Sequence, residues 1–218
     1  DFLIFEGVAA NSSANLTDDK TKLNRVLGNP TEGALLIWLE EQEVNYRKIR
    51  DDFKIRYQWT FNTERKYMAT YGNSLYTGKP ILHIKGAPEI ILEKCSKLML
   101  PSGLEDIEQY KTDIKELLEN NQQKALRTIA LAVAFEPAII SEKALEESEC
   151  QFIWLGLFSI QDPVRKEVPN AILECKKAGI EVKIVTGDTY ITAREVGKQI
   201  NLFSDETQSD CCIVLGND

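Results

Sequence analysis

The 218-residue chain is poor in the residues that build metal centres and covalent cross-links. It has one histidine, His83, and five cysteines, Cys95, Cys150, Cys175, Cys211 and Cys212, an odd and scattered set. That pattern excludes a disulfide framework and reads as reduced thiols in a cytosolic setting. The adjacent Cys211-Cys212 lacks a second cysteine or histidine pair at ligand spacing, so no metal site is expected. His83 falls in an apolar strand pattern, which assigns it a structural role. Long hydrophobic runs are also missing: the longest, residues 128–135 and 152–160, are less than half of the roughly 20 residues a membrane helix needs. The chain by itself is therefore expected to be soluble. Asp1-Phe2-Leu3-Ile4-Phe5-Glu6 lacks the order of features of a signal peptide. Basic charge is scarce as well. Acidic residues number 34 against 26 basic, a net charge of −8, with −5 over residues 1–160 and −3 over residues 161–218. Neither half carries the basic patch of a nucleic-acid binder, and no nucleic-acid partner is expected. What is present, 43% hydrophobic and 28% charged residues, is ordinary globular composition and excludes disorder and collagen-like repeats.

Periodicity divides the chain. Residues 2–17 are helix-like and end in a polar run. Asn29-Pro30-Thr31-Glu32 offers an N-cap, a proline at the first helical position and a glutamate at the third, and Ala34, Leu35, Trp38 and Leu39 follow at helical spacing. Residues 57–61 and 66–71 read as two strands joined by a polar turn. Residues 81–85 form a third strand, with Ile81, His83 and Lys85 on one face. Gly86 ends it, and Pro88 starts a helix that runs to about Cys95. Residues 105–127 carry apolar residues at helical spacing and lead into a strand over residues 129–135. After an acidic stretch, a strand over residues 152–160, a helix over 167–178, a strand over 182–185 and a helix over 190–200 make a βαβα run of the kind that builds a parallel sheet. A boundary near Gln161 follows. The 58 residues beyond it hold too few strands to bury both faces of such a sheet, so they look like part of a larger domain.

Candidate functional residues are individually ambiguous. Thr186-Gly187-Asp188 sits where a strand meets a helix; it reads equally as a phosphate contact and as an ordinary turn with Asp188 as N-cap. Asp162-Pro163-Val164-Arg165 suits a stiff hinge, although alone a helix start with a surface ion pair explains it better. No nucleotide loop is present, since Gly78-Lys79-Pro80 lacks the flanking glycine and Ser/Thr. A nucleotide would have to use side chains: Phe61 to stack on a base, Lys85 and Arg127 to meet phosphates. Singly, a core phenylalanine, a solvated strand end and a helix C-terminal cation are the better explanations, and a capping box accounts for Glu32.

Taken together and in order, the segments are more specific. Asn29-Pro30-Thr31-Glu32-Gly33-Ala34-Leu35-Leu36, Phe61-Asn62-Thr63-Glu64-Arg65-Lys66-Tyr67-Met68, Lys85-Gly86-Ala87-Pro88-Glu89, Ala125-Leu126-Arg127-Thr128-Ile129-Ala130, Asp162-Pro163-Val164-Arg165 and Thr186-Gly187-Asp188 resemble the cytoplasmic region of P-type cation-transporting ATPases, most of all the calcium-transporting subgroup. The resemblance runs by motif over residues 29–193, and residues 7–16 look like the start of that family's nucleotide-binding domain.

The resemblance implies an α+β nucleotide-binding domain over residues 1–160, an antiparallel sheet with flanking helices, followed by a partial α/β haloacid-dehalogenase-like phosphorylation domain over residues 161–218. It implies ATP and Mg²⁺ as ligands. Phe61 would stack on adenine, Lys85 and Gly86 would line the same pocket, Glu32 would sit near the adenine amino group, and Arg127 would hold the phosphates. Asp162, Pro163 and Arg165 would form the hinge, while Thr186, Gly187 and Asp188 would contact the transferred phosphoryl group and order the Mg²⁺ site. The implied activity is transfer of the ATP γ-phosphoryl to an aspartate, then hydrolysis coupled to movement of a cation, calcium by the subgroup, at the cytoplasmic face of a membrane. The family's Asp-Lys-Thr-Gly-Thr and Gly-Asp-Gly-x-Asn-Asp motifs do not occur in the 218 residues. The chain is thus expected to be an excised region, catalytically inactive alone. The alternative is a stand-alone nucleotide-binding regulatory module.

Overall fold

The computed structural model describes residues 1–19, 25–124, 126–137, 151–161, 164–165, 167–186 and 190–203. The chain parts into two compact units, one of Asp1–Ile114 and Thr128–Ile160, the other of Lys115–Arg127 and Gln161–Asp218. No helix among the described residues is long and apolar enough to cross a membrane.

The first unit is built on a seven-stranded sheet. Helix α1 (Phe2–Ala10) opens the chain and stops well short of residue 17, where the sequence pattern ended it. The polar run after it is extended, and β1 (Asn15–Leu16) pairs antiparallel with β2 (Val26–Leu27). Helix α2 (Pro30–Glu41) begins as its sequence predicts. The Asn29 side chain accepts from the amides of Thr31 (2.9 Å) and Glu32 (3.4 Å), and Pro30 fills the first turn. Leu35, Leu36 and Leu39 then face a core shared with Val8, Ala9, Leu16, Tyr46 and Leu131. Helix α3 (Tyr46–Phe53) follows, capped by Asn45.

Strands β3 (Tyr57–Trp59), β4 (Tyr67–Asn73) and β5 (Pro80–Gly86) form an antiparallel meander. Strand β8 (Arg127–Phe135) pairs antiparallel with the other side of β5, opposing Val133 to His83 and Leu131 to Lys85. With neighbours on both edges, β5 is buried throughout its interior. Helix α4 (Pro88–Lys94) follows.

Three features beyond α4 depart from the sequence reading. After α4 comes a hairpin, β6 (Cys95–Leu100) and β7 (Gly103–Asp106). Helix α5 (Lys111–Gln123) starts only after a short 3-10 turn (Ile107–Gln109). Strand β9 (Phe152–Ile160), read as the first strand of a parallel α/β run, instead lies between β8 and β6 in the first unit's sheet, parallel to β6. The sheet order is β3-β4-β5-β8-β9-β6-β7.

In the second unit, the expected helices are present as α6 (Val168–Lys177) and α7 (Tyr190–Gln199). The strand expected at residues 182–185 is not formed: those residues have no regular structure, and Val185 is 98% exposed. A strand exists through its ladder, and among the described residues no strand pairs with this segment.

Candidate functional site

The centre of the site is a buried ion pair that links α2 to β5. Lys85 Nζ lies 2.9 Å from Glu32 Oε1, and both side chains are almost fully covered. Glu32 occupies the third position of α2, where a capping box would turn its carboxylate back to Asn29. It turns instead to the extended segment after α1. Its Oε2 accepts from the Ser13 hydroxyl (2.6 Å), the Ser13 amide (2.9 Å) and the Ala14 amide (3.2 Å). That segment is held from its other side by α3: Arg50 donates to the Ala9 carbonyl (3.1 Å), the Ala14 carbonyl (3.1 Å) and Asn15 Oδ1 (2.9 Å), and lies over the Tyr46 ring. The Tyr46 hydroxyl in turn accepts from the Leu16 amide (2.9 Å).

The charges follow from these contacts. Burial alone would raise the Glu32 pKa; the Lys85 ammonium and the Ser13 hydroxyl and amide outweigh it, so the carboxyl lies below its ordinary value. Burial pushes Lys85 below the usual lysine value, with Glu32 opposing and Arg50 adding to the effect. Apart from the Glu32 carboxylate, no described group accepts a hydrogen bond from Lys85 Nζ. A buried ammonium with donors to spare is costly unless something else accepts from it.

Gly86 follows Lys85 at a point where two backbones nearly touch. A Cβ there would lie 2.3 Å from the Lys66 carbonyl oxygen and 2.6 Å from Tyr67 Cα, so no larger residue fits without moving the sheet. Beside it, the Ala87 amide donates to the Lys66 carbonyl (3.0 Å), joining the end of β5 to the β3–β4 connection. Phe61 sits on that connection, just past β3, and is 55% exposed. It is not the core residue that its apolar character suggests.

The other candidates belong to the second unit or lie outside the described residues. Arg127 is exposed and opens β8. Arg165 is exposed, and its carbonyl accepts from the Val168 amide at the start of α6. Thr186 is exposed in the irregular segment of the second unit. Asp162, Pro163, Gly187 and Asp188 lie outside the described residues. The structure thus brings Glu32, Lys85 and Gly86 together, with Phe61 on the adjoining loop.

Sequence reasoning missed Ser13 and Arg50 as partners of this centre. The only sequence signal was a glutamate at a helix start and an arginine on an otherwise polar helix. The structural role read for His83 fits its surroundings. His83 Nε2 lies 2.9 Å from Glu6 Oε1, while Glu6 Oε2 accepts from the Leu75 amide (2.6 Å). Gly7 leaves room for the ring, since a Cβ there would be 2.9 Å from Nδ1.

A family profile described as P-type ATPase, cytoplasmic domain N, matches residues 2–167. The chain is 32% identical over 219 residues to the plasma membrane-type calcium-transporting ATPase 9 of Arabidopsis thaliana, covering 95% of this chain and 20% of that protein. It is 35% identical to the plasma membrane calcium-transporting ATPase 1 of Gallus gallus over 191 residues, 84% of this chain and 16% of the relative. It is 34% identical to the plasma membrane calcium-transporting ATPase 4 of Homo sapiens over 218 residues, 93% of this chain and 17% of the relative. The chain thus spans about a fifth or less of the length of these curated relatives.

Proposed function

Because the chain belongs to the P-type ATPase cytoplasmic domain N family, we propose that it is the ATP-binding cytoplasmic region of a cation pump, with calcium as the transported ion. Calcium is inferred from the names of its relatives. In this reading residues 1–160 bind the nucleotide. Phe61 stacks on adenine, Glu32, Lys85 and Gly86 line the pocket, and Arg127 meets the phosphates. Residues 161–218 are part of the phosphorylation domain, joined through a hinge at Asp162, Pro163 and Arg165. Thr186, Gly187 and Asp188 lie near the transferred phosphoryl group.

The observation that carries the reading is the Lys85 ammonium, buried against one carboxylate and with no other acceptor among the described residues, beside the loop of an exposed phenylalanine. Unused donors suit a ring nitrogen or phosphate oxygen, and an exposed aromatic face suits a base. The Ser13 and Ala14 donors hold Glu32 ionised, and Glu32 holds the lysine in place. Among the described residues no group of three His, Cys, Asp or Glu side chains gathers to hold a metal ion. As the family resemblance implies, Mg²⁺ would be carried on the nucleotide phosphates, with Asp188 as its ordering carboxylate. Phosphoryl transfer rests on positioning and charge neutralisation. The acceptor aspartate is assigned to an Asp-Lys-Thr-Gly-Thr motif outside these 218 residues, in the pump at the cytoplasmic face of its membrane. The 218 residues alone are assigned no turnover.

One stacked base contributes about 1–3 kcal/mol, and contacts in an open cleft add little, so ATP is expected to bind with a Kd from about 1 mM to a few tenths of that. Titration of the chain with ATP, followed by amide NMR shifts, tests this. Saturable shifts at Phe61, Lys85 and Gly86, weakened in Phe61→Ala, are expected. Unchanged affinity in that variant would remove Phe61 from the pocket.

A further inference from the structure

We propose that Arg65 is a positioning residue for the base: its guanidinium holds the β3–β4 connection in the shape that presents Phe61 to a ligand. The proposal rests on the reading of Phe61 as the stacking residue. An aromatic side chain that is 55% exposed is not placed by packing. Its position comes from the backbone on either side.

That backbone is tied at several points. Arg65 Nη2 donates to the carbonyl of Thr60 (2.7 Å), the residue before Phe61, and Arg65 Nε donates to the carbonyl of Tyr67 (3.3 Å), the first residue of β4. Its guanidinium carbon lies 5.7 Å from the centre of the Tyr67 ring, which is only 1% exposed. One planar fork therefore bridges both ends of the connection and is anchored on a buried ring. Between those ends the Asn62 side chain accepts from the Glu64 amide (2.7 Å), and the Asn62 carbonyl accepts from the Lys66 amide (2.7 Å). Lys66 adopts a left-handed conformation, φ 56°, which places its carbonyl against Ala87. The loop that carries Phe61 is thus also attached to the strand end that carries Lys85.

An ammonium cannot replace this arrangement, because a compact point charge does not reproduce two divergent donors and a stacked plane. With the fork lost, the connection samples other shapes, and ordering Phe61 is charged against binding.

The test uses the 218-residue chain and two probes, ATP and adenosine, titrated by amide NMR shifts into the parent, Arg65→Lys, Phe61→Ala and the double variant. Arg65→Lys is expected to raise the Kd about three- to tenfold, by the same factor for both probes, and to add nothing in the Phe61→Ala background. Weaker ATP binding with unchanged adenosine binding would mean that Arg65 meets phosphates, and would overturn the proposal. So would additive effects in the double variant, or unchanged affinity in Arg65→Lys while Phe61→Ala binds weakly. Unchanged affinity in Phe61→Ala would overturn the stacking reading, and the proposal with it. Asn62→Ala loosens the same loop from an exposed position. It should give the same base-dependent loss, and it decides the matter if Arg65→Lys does not fold.

Discussion

Residues 81–85 in the first unit and residues 182–185 in the second have similar rhythms of apolar residues and lysine, Ile81-Leu82-His83-Ile84-Lys85 against Val182-Lys183-Ile184-Val185, and only the first is a strand. The difference lies in the neighbours. β5 has β4 on one edge and β8 on the other, so its backbone groups are paired and Ile81, Leu82 and Ile84 are at most 1% exposed. Around residues 182–185 the apolar side chains stay in water: Ile180 is 56% exposed, Ile184 40% and Val185 98%, and in α6 Leu173 is 49% exposed. An apolar pattern declares what a segment could bury. The free energy is gained only when a partner removes that area from water, about 25 cal/mol per Å².

The comparison can be broken or sharpened by substitution. The largest effect is expected at the buried pair of the first unit. Glu32→Gln leaves the Lys85 ammonium covered and uncompensated, at a cost of about 3–5 kcal/mol, measured by urea unfolding. The loss should depend on pH. A carboxylate whose pKa is lowered by folding stabilises the protein above its unfolded pKa, near 4.5, and that contribution disappears as the pH falls through the lower, folded value. The gap between the parent and Glu32→Gln should therefore be full at neutral pH and close below pH 4.5. Parallel stability curves would remove Glu32 as the ionised partner.

A direct test of the two strand-like segments comes next. Ile81→Ala is expected to cost about 2–5 kcal/mol, as for other buried large-to-small changes, whereas Val185→Ala should stay within about 0.5 kcal/mol. Equal losses would mean that residue 185 is covered in solution. The smallest effect is a chemical one. Burial pushes the Cys95 thiol up to about 12, against the opposing charge of Lys111, so folded chain treated with iodoacetamide at pH 8 should remain unmodified there. Cys175, half-buried on α6, should be alkylated faster than Cys95, as read by peptide mass spectrometry. Modification of Cys95 at the same rate would show that β6 opens readily.

The parts of the fold that were legible in the sequence are those decided within a few residues. Asn29 and Pro30 mark the start of α2 because an N-cap and a proline act on the amides next to them. The β3–β4 hairpin and the existence of β5 as a strand were also legible, whereas the burial of β5 on both faces, Lys85 included, was not. β6 and the first half of β7 fall in a stretch to which the sequence reading assigned no element, because Ser96 and Lys97 face solvent and only Cys95 and Leu98 are buried in β6, too little alternation to mark a strand. β9 was recognised as a strand but assigned to the wrong neighbours, since its run of apolar residues suits the centre of any sheet and its parallel partner β6 is distant in sequence.

The site divides in the same way. Glu32, Phe61, Lys85 and Gly86 were visible as residue types in order along the chain, because motif order is a property of the sequence. The partner of each polar atom was not. Glu32 could cap its own helix, and it bonds Ser13, Ala14 and Lys85 instead, because folding brings α1, α2 and β5 to one place. Phe61 could have filled a core and is exposed, on a connection whose Thr60 and Tyr67 carbonyls accept from Arg65. The sequence by itself determined where helices start, which segments can be strands and which chemical groups are on hand. Only the tertiary structure decided which segments find a ladder and which carboxylate meets which ammonium. Hydrogen bonding, burial and charge depend on what packs against a group, and here those partners come from distant parts of the chain.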